Sequence, residues 1–233
     1  MAGDFAQRTA IVTGGTGALG TATVAALLAA GAHCLVPYRS GREAERFPYA
    51  GDARVTLCPG IELSDEASVA SLYARAPKLW ASIHIAGGFA AKPAADTTKA
   101  DLMQQIETNL VSTFLCCRAA IGAMRGQGGR IVNVAARPAL EWRTGAGMAA
   151  YTASKAAVAA LTVALAEEVA KDGILVNAVA PSVMDTPANR KAMPKAEFGH
   201  WPKVEEVAAA ILFLASPDNA VTRGAIVPVY GRS

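Results

Sequence analysis

The chain has 233 residues, a formal net charge of +3, and 52% hydrophobic against 18% charged residues. These proportions predict a globular protein of domain size and exclude a disordered chain. Because its lysines and arginines are scattered along the sequence, we expect neither a nucleic-acid nor a membrane partner. No uninterrupted apolar run approaches a membrane span and the N-terminal residues show no targeting pattern, so we expect a cytoplasmic protein.

Short β-type runs alternate with helical stretches along the whole chain. The predicted strands are, in order, RTAIVT, HCLVP, RVTLC, LWASIHIA, RIVNVA, ILVNAVA and AIVPV. The predicted helices cover residues 18–30, 65–76, 99–124, 148–171 and 203–215. Such alternation predicts an α/β fold, a single doubly wound Rossmann-type domain over residues 1–233. Its mostly seven-stranded parallel sheet should be covered on both faces, because several strands are apolar throughout.

Local signals refine this outline. Ser64, followed by two acidic residues, predicts a capped helix start. Residues 181–202 carry four prolines between a strand and a helix, and a loop of that length in a compact domain is usually functional. The four cysteines form no C-x-x-C pair, which favours buried free thiols. The three histidines are too dispersed to predict a metal site.

The stretch IVTGGTGALG ends the first predicted strand and leads into the first helix. Gly15, Gly17 and Gly20 satisfy G-x-G-x-x-G in the strand–turn–helix context that gives this motif its meaning. Glycine lets backbone N–H groups and the helix N-terminus approach a pyrophosphate with no Cβ between them. The alternative interpretation is that these glycines form only a flexible turn. The residues that we expect to bind a dinucleotide here are Gly14, Gly15, Thr16, Gly17, Ala18, Leu19 and Gly20.

The end of the second predicted strand, PYRSGR, bears on the choice of cofactor. Folds that prefer NAD commonly place an acid near this point, and here Tyr38 is followed by Arg39 and Ser40. The missing acid and the arginine favour the 2′-phosphate of NADP(H), with NAD(H) possible. The alternative is that Arg39 is simply a solvated residue at a strand end.

Two large polar residues lie on one side of the predicted helix 148–171. Tyr151 and Lys155 are i and i+4 neighbours, and they share that side with Val158 and Leu165. A nearby ammonium would lower the tyrosine pKa from about 10 toward the range of an acid–base catalyst. Taken alone, the pair is better explained by a packed ring and a lysine that reaches to water. Beside the glycine turn, an acid–base pair is the preferred interpretation.

These motifs resemble those of the short-chain dehydrogenase/reductase family, and the resemblance covers nearly the whole chain. The family's T-G-x-x-x-G-x-G is matched by TGGTGALG, with Ala18 at the middle glycine, its Y-x-x-x-K by YTASK, and its P-G segment by VAPSVMDT. Its helix-borne asparagine is matched by Asn109 in ETNLVSTF. The resemblance implies that Tyr151 exchanges the proton and that Lys155 holds the nicotinamide ribose and tunes the phenol. It implies that Asn109 positions a water in the proton relay.

The resemblance implies further cofactor contacts. Glu62 and Leu63 stand where the family contacts adenine, and Thr186 stands where a hydroxyl meets the carboxamide. The other cofactor-binding residues implied are Ala86, Gly87, Gly88, Pro181 and Val183. Since family members are usually dimers or tetramers, we expect a homodimer or homotetramer that acts on a small molecule.

Asn109 borders a predicted apolar stripe, as a group that reaches the edge of a cleft would. The stripe consists of Met103, Ile106, Leu110, Phe114 and Cys117. An ordinary asparagine at the boundary of a buried face stays the alternative.

Two departures from the family pattern affect the substrate side. The family's N-N-A-G reads HIAGG, without either asparagine, and Ala136 occupies the position of the serine that polarises the substrate carbonyl. Dihydropteridine reductases also lack that serine, and the chain resembles them in GGTGALG, AGGF, ARPALEWRTGAGMAAY and DTPANRKAMPKAEF. A quinonoid pterin is already electron-poor and needs less help from a serine. That branch uses NADH, however, which Arg39 does not fit, so pterin is one candidate substrate.

The leading hypothesis is an NAD(P)(H)-dependent oxidoreductase that transfers hydride between a nicotinamide and a small carbonyl or quinonoid, imine-like substrate. The alternatives are a dihydropteridine reductase proper and a catalytically weak NADP(H)-binding sensor. A pure sensor has no need of the tuned phenol of Tyr151. Arg137 or Thr144 is a candidate to replace the missing serine. The predicted substrate-side residues are Ala136, Arg137, Met184 and Trp201.

Overall fold

A seven-stranded, all-parallel sheet forms the centre of the computed structural model, which describes residues 4–233. Its strands are β1 (Thr9–Thr13), β2 (His33–Tyr38), β3 (Val55–Pro59), β4 (Leu79–His84), β5 (Gly129–Val134), β6 (Ile174–Pro181) and β7 (Ile226–Val229). They lie in the order β3-β2-β1-β4-β5-β6-β7. The strand order therefore reverses between β1 and β4, and such a switch point is where this architecture opens a crevice at the carboxyl ends of the strands.

Helices cover both faces of the sheet. They are α1 (Ala18–Ala29), α2 (Gly41–Glu45), α3 (Glu66–Tyr73), α4 (Lys99–Gln105), α5 (Ser112–Met124), α6 (Ala149–Glu168), α7 (Pro187–Ala192) and α8 (Val204–Ala215). Helices α1 and α8 bury their apolar side chains against one face. Helices α3, α5 and α6 cover the other face. The seven predicted strands and the covered sheet are thus confirmed.

Helix α6 is long and apolar enough, by length and composition, to cross a membrane. In this structure Val158, Thr162 and Ala166 are fully buried within the protein. Its apolar composition is therefore accounted for by its place in the core. The four cysteines are likewise buried and free, as predicted.

The segment 181–202 is not the irregular loop that its prolines predicted. It contains α7 and a 3₁₀ turn at Phe198–His200. Pro187 is the first residue of α7, a position where proline favours a helix because its missing N–H has no intrahelical partner there. The two ends of the segment are tied together, since the Asp185 N–H donates to the Pro202 carbonyl over 2.9 Å.

Helix α3 begins one residue later than predicted, and its cap is Asp65. The Asp65 carboxylate accepts the Ser68 N–H over 2.7 Å, whereas the Ser64 hydroxyl donates to Glu62. The prediction of Ser64 as the cap was wrong because serine and aspartate cap helices about equally well. Only the tertiary structure decides which of two neighbouring residues of equal capping propensity forms the cap.

A π-helical segment, Ile106–Val111, joins α4 and α5 into one continuous helix. A π turn holds one residue more than an α-helical turn. The predicted apolar stripe is confirmed only in part: Cys117 is fully buried, whereas Met103, before the π turn, and Phe114, after it, are both 43% exposed. The buried residues also include Asn109 in the π turn and Cys116 beyond it.

A buried polar network ties β4 and β5 to the helices on one face of the sheet. The His84 ring nitrogens lie 2.8 Å from Ser82 Oγ and 2.8 Å from Asn133 Oδ1. The Asn133 amide donates to Thr162 Oγ of α6 over 2.9 Å, and Tyr73 of α3 bonds to Ser82. Burial lowers the pKa of His84 to about 4, so this histidine is neutral at pH 7. The network fixes α6 relative to the sheet.

Candidate active site

A cavity of about 560 Å³ opens at the switch point, at the carboxyl ends of the strands. The predicted cofactor residues that line it are Gly14, Thr16, Gly17, Ala18, Leu19, Gly20, Tyr38, Arg39, Glu62, Leu63, Ala86 and Gly87. It is also lined by residues that were not predicted to bind the cofactor, namely Pro37, Glu43, Ile61, Ser64, Ile85, Glu107, Thr108 and Ser112. Segments that are far apart in sequence meet here because parallel strands end at the same edge of the sheet.

The glycine turn brings backbone close to backbone. Gly14 has a φ of +66°, and a Cβ at this position would lie 2.7 Å from the Ala86 nitrogen. Only glycine therefore lets the turn after β1 pack against the segment after β4. Gly15, in contrast, does not line the cavity, and its contact with the cofactor stays a prediction.

The N-terminus of α1 faces the cavity through Gly17 and Ala18. No side chain within residues 4–233 caps this terminus. Its first N–H groups and the positive end of the helix dipole are therefore available to an anion. These residues fit the pyrophosphate of a dinucleotide.

Charged side chains gather at the β2 end of the cavity. Arg39 Nη1 lies 3.6 Å from Glu62 Oε2, with the Arg39 side chain 71% exposed. Glu43 accepts hydrogen bonds from the Arg39 N–H and from the Ser40 hydroxyl. The Ser40 side chain, which was predicted to bind the cofactor, does not line the cavity.

Lys155 lies beside the opposite end of the cavity. Its side chain is buried, and Nζ donates to the Val134 carbonyl at the end of β5 over 2.8 Å. Burial lowers the pKa of Lys155 to about 8. A Cβ on Gly87 would lie 3.3 Å from Lys155 Nζ and 2.7 Å from Asn109 Oδ1. Gly87 therefore lets the cavity wall pass close to the side chains of Lys155 and Asn109.

Tyr151 is half-buried one turn before Lys155. Burial raises the pKa of Tyr151 to about 12. The prediction that Lys155 lowers this pKa was wrong for the present structure, because the ammonium is bonded to Val134 and desolvation of the phenol dominates. The ring of Phe89 meets the Tyr151 ring edge-on, with centroids 5.0 Å apart.

Phe89 was missed as a site residue. It belongs to the AGGF stretch on which the resemblance rests, but nothing in the sequence showed where its side chain lies. In the structure it is 65% exposed beside Tyr151, and so it offers a flat apolar wall next to the phenol.

Asn109 connects three elements from its place in the π turn. Its Oδ1 accepts the Gly88 N–H over 2.9 Å, and its Nδ2 donates to the Gly88 carbonyl and to Ser154 Oγ of α6, both over 3.0 Å. The Asn109 carbonyl accepts the Thr113 hydroxyl. The Asn109 side chain thus holds the backbone at Gly88, and its role in positioning a water stays a prediction. Gly88 itself does not line the cavity.

Ala136 is the second residue after β5 and is buried. Both candidates for replacing the missing serine have partners elsewhere. Arg137 Nε donates to Glu141 over 2.7 Å with its guanidinium over the Tyr230 ring, and the Thr144 hydroxyl donates to the Glu141 carbonyl. In this arrangement the Thr144 donor is taken, whereas Arg137 is held by Glu141 through Nε alone.

The remaining predicted residues belong to the segment 181–202. Thr186 caps α7 by accepting the Asn189 N–H, and its O–H is left to donate. Met184 packs against the core between the sheet and α1 and α8, and Trp201 packs against Phe198. The two side chains therefore help to pack the segment onto the core and onto itself, and their contact with a substrate stays a prediction. Pro181 is buried at the end of β6, and Val183 is exposed.

Comparison with known proteins agrees with this geometry. Residues 8–197 match the family described as short chain dehydrogenase. Galactitol 2-dehydrogenase of Rhizobium johnstonii is 35% identical over 94% of this chain and 92% of its own length. The 3-oxoacyl-[acyl-carrier-protein] reductase of Rickettsia felis is 31% identical over 98% and 97% of the two chains. The structure of ElxO with NADP bound shares the fold, with a TM-score of 0.88, 24% identity, and 96% and 97% coverage.

The chain therefore belongs to the short-chain dehydrogenase/reductase family. It is accordingly an NAD(P)-dependent oxidoreductase, an enzyme that transfers hydride between a nicotinamide cofactor and a small substrate.

Proposed function

We propose that this enzyme reduces a flat, electron-poor carbonyl or quinonoid compound with NADPH, and that Tyr151 gives the accompanying proton. The observation that carries the proposal is the pairing of a half-buried phenol with an exposed aromatic wall, Phe89, at a site where Ala136 can donate nothing. A quinonoid dihydropterin is one such acceptor, in keeping with the resemblance to dihydropteridine reductases.

NADPH supplies the hydride when it is bound. Gly17 and the N-terminus of α1 would hold its pyrophosphate, and Lys155 would hold the nicotinamide ribose. The Tyr151 phenol, with its pKa raised to about 12, keeps its proton at pH 7 and so is ready to act as the donor in a reduction. Asn109 acts as a positioning residue, since it holds Gly88 and hence the backbone that carries Phe89.

A single proton donor limits the range of acceptors. When hydride adds to a plain ketone, a full alkoxide charge develops on one oxygen, and Tyr151 would have to stabilise it alone. Loss of one preorganised donor at such a site costs on the order of 10²–10³ in kcat. A quinone or quinonoid pterin spreads the charge over several atoms, so it depends less on a second donor at position 136.

The choice of NADPH depends on Arg39. A charge-assisted contact to a phosphate contributes roughly 1.5–3 kcal/mol, so Arg39→Ala should weaken NADPH binding by about one to two orders of magnitude. NADH binding should change little, and Arg42→Ala, which removes the same charge three residues on, should have a smaller effect. Equilibrium titration of each cofactor measures this. Equal losses for both cofactors would contradict the proposal.

The acceptor class is tested by following the absorbance of NADPH with three kinds of acceptor: aliphatic ketones, quinones and quinonoid dihydropterin. We expect turnover with the last two and slow reduction of the first. Brisk reduction of aliphatic ketones would overturn the proposed class. Tight NADPH binding with no turnover of any acceptor would favour the sensor.

The proposal includes a cytoplasmic homodimer or homotetramer of single-domain subunits. Leu102, Met103 and Phe114 leave apolar side chains exposed along α4 and α5, and such a surface is typical of a contact between subunits. Light scattering on the eluted protein gives the mass that tests this point.

A further inference from the structure

A carboxylate stands where NAD(H) and NADP(H) differ, at the adenosine end of the proposed dinucleotide site. Glu43, on the short helix α2, lines the cavity next to Arg39. Its Oε2 accepts the Arg39 N–H over 3.4 Å, and its Oε1 accepts the Ser40 hydroxyl over 3.2 Å. No sequence motif singled out Glu43, because it lies beyond the end of β2.

The arginine itself is engaged by a second carboxylate. Arg39 Nη1 lies 3.6 Å from Glu62 Oε2, and Glu62 also lines the cavity. Three donors could therefore receive a 2′-phosphate, and all of them face carboxylates. They are the Arg39 guanidinium, the Arg39 backbone N–H and the Ser40 hydroxyl. A 2′-phosphate would have to displace those carboxylates, whereas a ribose 2′-hydroxyl is a donor that a carboxylate accepts.

We propose that Glu43 is a specificity-determining residue that accepts the 2′-hydroxyl of NAD(H) and opposes the 2′-phosphate of NADP(H). It thereby limits the preference that Arg39 creates and leaves the enzyme able to use both cofactors. A phosphate monoester carries about −1.5 to −2 charges at pH 7, so its repulsion by a carboxylate a few ångströms away is substantial. The inference rests on the proposed assignment of the cavity to the dinucleotide.

The substitution Glu43→Gln tests this role without disturbing the start of α2. A glutamine oxygen can still accept from Ser40 and from the Arg39 N–H, so only the charge is lost. Glu45→Gln is the matched control, because Glu45 lies on the same helix, is exposed, and does not line the cavity. The ligands are adenosine 2′,5′-bisphosphate and adenosine 5′-monophosphate, titrated by calorimetry into wild type and both variants.

We expect Glu43→Gln to bind the bisphosphate about tenfold more tightly and the monophosphate a few-fold more weakly. Glu45→Gln should leave the ratio of the two affinities at its wild-type value. An unchanged ratio in Glu43→Gln, or an equal change in Glu45→Gln, would overturn the role of Glu43. Failure of wild type to bind either nucleotide would overturn the cavity assignment as well, which separates the two failures.

Discussion

The two ends of the candidate site are built by different means. The nucleotide end is formed mainly by backbone groups, namely the turn at Gly14 and the open N-terminus of α1. At the acid–base end, buried side chains are held by other elements, with Lys155 bonded to Val134 and Asn109 bonded to Gly88. A backbone cradle can be recognised from a local motif. A set of side chains held from several elements becomes visible only when the chain is folded.

The largest effect is expected from the phenol at the acid–base end. Tyr151→Phe should lower kcat by about 10²–10⁴, while the dissociation constant of NADPH changes by no more than a few-fold. The ring contact with Phe89 is kept, so the loss reports the proton and not the packing. Steady-state kinetics and cofactor titration measure the two quantities.

Tyr49→Phe is the control for this experiment, because it removes a hydroxyl from a ring that packs on Phe47 and does not line the cavity. If Tyr151→Phe kept a near wild-type kcat, the two ends of the site would not differ as described.

The next effect concerns the donor that the acid–base end lacks. Ala136→Ser should raise kcat for aliphatic ketones by up to about 10², because a hydroxyl would then share the developing alkoxide charge with Tyr151. Quinonoid acceptors should gain little. Ala135→Ser is the matched control, since it places the same hydroxyl one residue earlier in an equally buried stretch. A similar gain from Ala135→Ser would mean that position 136 has no special relation to the substrate.

The smallest effect is on stability and follows from the burial of Lys155. Its folded pKa of about 8 lies below the usual 10.5, so below pH 8 the charged form destabilises the fold by about 3 kcal/mol. Lys155→Met leaves the Val134 carbonyl without its donor, at a cost of about 1–3 kcal/mol. The variant should therefore have a free energy of unfolding at pH 7 that is raised by up to about 2 kcal/mol, with turnover lost.

The pH dependence has a definite sign. Between pH 8 and 10.5 the unfolded chain holds a proton that the folded chain has lost, so wild type gains stability as the pH rises and the advantage of Lys155→Met shrinks. Urea unfolding at pH 7 and pH 10 measures this, with the exposed Lys171→Met as control. A lower free energy of unfolding for Lys155→Met at pH 7 would show that the buried ammonium stabilises the fold.

The sheet and the nucleotide end could be predicted because their signals are local. The strands are apolar runs of ordinary length, and the glycine turn falls between the first strand and its helix. Twelve of the residues predicted from that turn, from the end of the second strand and from the family resemblance line one cavity. Each of these signals lies in a short stretch of sequence. It could therefore be identified without knowing which distant residues that stretch contacts.

The rest depended on contacts between distant parts of the chain. The pKa of Tyr151 follows from desolvation, which the i,i+4 spacing to Lys155 cannot show. Glu43 comes into the cavity only because a short helix, α2, forms after β2. Asn109, in the π turn between α4 and α5, is buried because it bonds to Gly88 and to Ser154 of α6, contacts that a period of 3.6 residues cannot show.

Because of that π turn, the number of residues in the helix 99–124 also affects the geometry of the site. Removing one residue from Ile106–Val111 would restore a regular α-helix, but it would rotate one half by about 100° against the other. Either Asn109 would leave Gly88, or Cys116 and Ala120 would turn out of the core. A substitution along this helix changes the contacts of one residue, whereas a deletion changes the contacts of a whole half of the helix. The number of residues in the π turn is therefore constrained more tightly than the identity of most of them.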